Sequence, residues 1–114
     1  MNKHFCTEQH ADALVAYFLD KSIYAELAIA GLGDELYAIV LRPDCLKLVL
    51  NFSKVEFLSS AMLGKLLSAK KMMAEKGGML RLCEICPSIR MVFTLTHLDH
   101  IFDIRNTEAE AVQP

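Results

Sequence analysis

The sequence predicts an α/β domain in which helices pack on a mostly parallel mixed sheet, and three observations carry that expectation. A nearly continuous apolar run of strand length, from Leu46 to Phe52, reads as a central strand covered on both faces. Amphipathic helical repeats lie before and after it, and further short apolar runs at Met79–Cys83 and Ile101–Ile104 alternate with helical segments. Three helix-bearing connections imply right-handed crossovers into one sheet, with an opening hairpin adding one antiparallel strand and helices expected on both faces.

Taken in order, His4 to Gln9 and Ala13 to Leu19 are strand-forming, and His10-Ala11-Asp12 turns one into the other. From Ala25 to Leu41 the residues Ile29, Leu32, Leu36, Ile39 and Val40 recur at helical steps, with Glu26, Asp34 and Glu35 on the other side. Arg42-Pro43-Asp44 ends that helix, because proline cannot continue the hydrogen-bond ladder. The next helix runs from Ser60 to Lys76, with Leu63, Leu66, Leu67 and Met73 as its apolar stripe, and Gly77-Gly78 stops it. Pro87 suits the first turn of a third helix that carries Ile89, Val92 and Phe93 inward. Thr107 to Glu110 has capping-box spacing and predicts a brief terminal helix through Val112. The order is ββαβαβαβα.

The chain has 114 residues, 54% of them hydrophobic and 23% charged, enough for one domain with a real core and no need of disulfide or metal staples. Twelve basic and 14 acidic residues, net −2, supply no drive toward nucleic acid or an anionic membrane. Met1-Asn2-Lys3-His4 leads into no signal-peptide core, and charges interrupt every apolar run, so a cytoplasmic protein without membrane insertion is expected. Cys6, Cys45, Cys83 and Cys86 are then read as reduced, mostly buried side chains.

Cys83 and Cys86 flank a strand-to-helix junction, where a thiol redox enzyme keeps its cysteines, but Cys83 falls in the strand and only Cys86 nears the helix start. Adding His97 and His100 gives two Cys and two His, with a histidine gap shorter than zinc sites use. No metal, cofactor or catalytic set is therefore assigned. Lys65, Lys70, Lys71 and Lys76, with Arg81 beyond, bias the second helix toward positive charge, as a solvated face or as a docking surface for an acidic partner. The informative stretch is Asn51 to Leu66, where a strand delivers Ser59 and Ser60 to a helix start. A serine there serves as an N-cap, worth about 1 kcal/mol. It also suits phosphorylation, which brings about −1.5 to −2 charges into the favourable field of the helix terminus. Both readings stay open on the residues alone.

The blocks Leu48–Val55 and Glu56–Gly64, then Gly77–Leu82, Val92–Phe102 and Glu108–Ala111, together resemble the STAS domain family of anti-sigma factor antagonists. Glu56-Phe57-Leu58-Ser59-Ser60-Ala61-Met62-Leu63-Gly64 stands in the place of its Asp-Ser-Ser-Gly-Leu-Gly segment, with Ser59 for the acidic residue, Met62 for a glycine and Asn51 for the aspartate ending the strand. The resemblance implies a single STAS-like domain over residues 1–114 that binds an anti-sigma factor with serine kinase activity and is no enzyme itself. It further implies Ser60 as the phosphoacceptor, with Ser59 as the alternative, and a partner surface of Asn51, Ser53, Ser59, Ser60, Ala61, Met62, Gly64 and Lys65. The unphosphorylated form would bind the kinase and free the sigma factor. The alternatives are a phosphorylation-independent scaffold, a subunit of a signalling or transport assembly, and a thiol redox protein.

Overall fold

A computed structural model describes residues 4–23 and 26–114. Met1–Lys3, Ala25 as the expected opening of the first helix, and the outward placement of the Glu26 side chain lie outside that description. Strands β1 (Phe5–His10) and β2 (Ala13–Phe18) form the antiparallel hairpin, turned at Ala11 with φ 53°. After them come β3 (Ser22–Ile23), α1 (Glu26–Val40), β4 (Lys47–Asn51), β5 (Phe57–Leu58) and α2 (Ser60–Glu75). The chain ends with β6 (Met79–Cys83), α3 (Pro87–Leu95), a 3-10 turn (Leu98–His100), β7 (Asp103–Ile104) and α4 (Glu108–Ala111).

The main sheet has the order β1-β2-β4-β6-β7, antiparallel only at the hairpin. β4 occupies its centre and all five of its residues are buried, as a strand covered on both faces requires. Alternation along the strands sends Leu14, Ala16, Leu48, Leu50, Leu80 and Leu82 to one face, where they pack with α1, α2 and α3. The opposite face carries Ala13, Val15, Val49 and Cys83, and α4 covers it through Ala111. Helices thus lie on both faces, although three of the four share one.

Two short elements lie outside what the sequence pattern predicts. β3 and β5 pair in parallel as a separate two-stranded sheet, with Ser22 opposite Phe57 and Ile23 opposite Leu58. The predicted strand 101–104 is also shorter, because the 3-10 turn consumes the chain up to His100 and Ile101 remains exposed. In α2 the buried stripe is Met62, Leu63, Leu66, Ala69 and Met73, and Leu67 is 37% exposed, one position past the inward face. The stop at the end of α2 is as expected: Gly77 has φ +77°. A Cβ on Gly78 would sit 2.8 Å from the Leu46 carbonyl oxygen, so close approach of β4's lead-in demands glycine there.

The basic bias of α2 dissolves on folding. Lys65 lies along α1, its ammonium 5.8 Å from the Tyr37 ring centre and its stem against Gly33. Lys76 donates to the carbonyls of Val40, the last residue of α1, and Arg42, just beyond it. Arg81 is buried and donates to Asp103, Ala111 and Gln113. Three of the five cations are therefore internal ties, and of the five only Lys70 and Lys71 on α2 have no such tie among the described contacts.

Candidate functional site

The site is built where β4 ends and α2 begins. Asn51, the last residue of β4, is 5% exposed, and its Oδ1 accepts the Ser53 N–H at 2.8 Å, turning the chain out of the sheet. Phe52 and Val55 are buried beside it, and the Val55 N–H returns to the Phe52 carbonyl at 2.9 Å. β5 then carries the chain to α2. The mini-sheet fixes this approach: Glu56 N–H donates to Lys21 O at 2.7 Å and Ser59 N–H to Ile23 O at 2.8 Å. The segment ahead of α1 thereby sets the height of the serines. Sequence reasoning missed Lys21 and Ile23, since a two-residue strand is too short to show a period.

Ser59 occupies the N-cap of α2 with extended backbone, φ −82° and ψ 160°, as expected for a cap. The expected capping hydrogen bond is not made. Its hydroxyl is buried and has no hydrogen-bond partner, because the backbone places Oγ inward. Ser60, the first helical residue, is exposed, as are Ala61 and Gly64, which follow on the same side of the helix. Gly64 has open space where a Cβ would stand. Met62, by contrast, is fully buried, and Asn51 is turned to internal partners. The residues read together from the sequence divide into an exposed set, Ser53, Ser60, Ala61 and Gly64, and a supporting set, Asn51, Ser59 and Met62, with half-buried Lys65 tied to α1.

No acidic side chain stands in the first turn of α2, so its positive end is not neutralised from within that turn. The chemistry available at Ser60 is the hydroxyl of an exposed residue on a helix N-terminus that favours added negative charge.

The cysteine pair has different physics at its two members. Burial pushes the Cys83 thiol up to about 12, reinforced by Glu84 and Glu108. For Cys86, at the N-cap of α3, burial raises the value but hydrogen bonding with Ser88 and with nearby backbone N–H groups outweighs it, and the thiol is lowered. A buried, protonated first cysteine is a poor nucleophile. Among the described residues no group of three or more His, Cys, Asp and Glu side chains is placed to hold a metal, and His97 and His100 lie at the exposed 3-10 turn. A cleft of 610 Å³ opens at the other end of the strands, beside Lys47 and Met79, away from Ser60.

The STAS domain family model matches residues 6–111. This chain belongs to the STAS domain family. A curated anti-sigma F factor antagonist from Paenibacillus polymyxa is 28% identical over 71 residues, which is 62% of this chain and 61% of that protein. The chain thus spans about three fifths of that relative's length. Among solved structures, an anti-sigma factor antagonist from Mycobacterium paratuberculosis superposes with TM-score 0.81 at 24% identity, covering 95% of this chain and 89% of that one. A STAS domain protein from Planctomyces limnophilus gives 0.81 at 21%, covering 94% and 92%. The phosphorylated form of the Bacillus cell fate determinant SpoIIAA gives 0.69 at 19%, covering 95% and 96%. At these identities the structural likeness speaks for the STAS fold. Among the described residues no helix is long and apolar enough to cross a membrane.

Proposed function

We propose that this STAS domain, taken as one unit over residues 1–114, is a cytoplasmic binding module that antagonises an anti-sigma factor and is switched by phosphorylation of Ser60. The observation that carries the choice of serine is the contrast at the start of α2: Ser60 is an exposed residue, whereas the Ser59 hydroxyl is buried. The names of the relatives support the partner class, an anti-sigma factor, and the switch calls for one with serine kinase activity. The surface on offer is Ser53, Ser60, Ala61 and Gly64, and its small side chains let a partner's backbone approach the first turns of α2 closely. Phosphate on Ser60 is compatible with the helix terminus but sets about two negative charges on that surface. A loss of only about 1.4 kcal/mol lowers affinity tenfold.

The test is incubation with the cognate kinase and ATP, followed by mass mapping. Ser60 takes the label and Ser60→Ala does not, while Ser60→Asp weakens kinase binding at least about tenfold with an unchanged circular dichroism spectrum. Labelling that persists in Ser60→Ala would refute the choice of acceptor. Binding without any labelling would point instead to a phosphorylation-independent scaffold.

A further inference from the structure

One carboxamide ties the loop that carries Ser60 to the reverse face of the sheet. Asn51 accepts the Ser53 N–H with Oδ1 at 2.8 Å and donates from Nδ2 to Glu108 Oε1, also at 2.8 Å. A carboxamide accepts at one end and donates at the other, which a carboxylate at this position could not do. Glu108 opens α4, and its own N–H donates to Glu84 Oε2 at 2.8 Å. At the far end of α4 the buried side chains of Lys47 and Arg81 donate to the carbonyls of Ala111, Val112 and Gln113. α4 has only four residues and is seated by these charged contacts at both ends. Asn51 is the joint between this seated helix and the loop.

We propose that Asn51 and Glu108 are a positioning pair that couples α4, on one face of the sheet, to the Ser53–Ser60 surface at its edge. Whatever docks on or displaces α4 is then felt at that loop. The proposal rests on the functional reading above only for what the loop does; the coupling itself belongs to this chain. Removing the Glu108 carboxylate leaves a buried amide donor unpaired, and turning to find another acceptor takes Oδ1 away from Ser53. Replacing Asn51 by aspartate instead sets two carboxylates face to face and releases α4. Pairing Asn51→Asp with Glu108→Gln restores a donor at residue 108 and an acceptor at residue 51.

Amide exchange and chemical shifts measured by NMR on the full chain test this. Glu108→Ala is expected to speed exchange at Ser53 about tenfold and to shift the Ser59 and Ser60 resonances. Asn51→Asp is expected to speed exchange at Ala111 and Val112, and Asn51→Asp with Glu108→Gln to return both sets to within about twofold of the starting protein. The coupling is overturned if the effect of Glu108→Ala stops within α4, or if the double variant is as disturbed as Asn51→Asp alone. Labelling of Ser60 by the kinase, measured on the same samples, separates the two claims. A complete cycle in a protein the kinase leaves unlabelled supports the pair and fails the switch.

Discussion

Ser59 Oγ sits without a hydrogen-bond partner at the N-cap of α2, while Ser60, one residue on, faces solvent. Adjacent hydroxyls meet such different surroundings because Ser59 still has extended backbone, held by the Ile23 carbonyl, and Ser60 has entered the helix. A capping serine replaced by alanine ordinarily costs about 1 kcal/mol. Here no capping bond exists to lose, so Ser59→Ala is expected to change stability by less than about 0.5 kcal/mol in urea titration. A loss of 1 kcal/mol or more would show that the hydroxyl caps after all. The sequence pointed to both serines through their place between a strand and a helix, but which one is accessible depends on the backbone torsions at the junction.

At the scale of elements, α2 shows which glycines the fold needs. Gly64 lies on the exposed side, with open space where a Cβ would stand, and glycine in a helix interior costs about 1 kcal/mol relative to alanine. Gly64→Ala is therefore expected to raise stability by roughly that amount while lowering affinity for the partner, a split that urea titration and a binding isotherm resolve. Equal or improved binding would remove Gly64 from the interface. Gly78→Ala works in the opposite sense, since the new carbon would press on the Leu46 carbonyl at 2.8 Å and destabilise by about 1 to 3 kcal/mol. The long elements were legible beforehand because their apolar periods extend over several turns or a whole strand. β3 and β5 were not, because two residues carry no period and their pairing is a tertiary event.

Across the whole molecule, the reverse face of the sheet depends on a small closing element. Ala13, Val15, Val49, Cys83 and Ala111 form a modest apolar cluster there, and Lys47 and Arg81 are buried with backbone carbonyls of the last turn as acceptors. Deleting residues 108–114 strips both cations of those acceptors and uncovers the cluster. The expected loss is about 3 kcal/mol or more, read from the shift of the urea midpoint. A truncated chain as stable as the full one would mean that Lys47 and Arg81 find water at little cost.

The sequence by itself determined the order of the main elements, the central place of β4, the capping box of α4 and the family to which the chain belongs, because each rests on patterns local to the chain. Charge placement was decided only by the tertiary structure. Lys65, Lys76 and Arg81 looked like a basic face along one helix and became ties to α1 and to the C-terminal turn. Asn51 looked like a surface contact and became a buried joint. The physical reason is the same throughout: a backbone carbonyl left free at a helix end, or a carboxylate brought across a sheet, is a partner that exists only once distant segments have met.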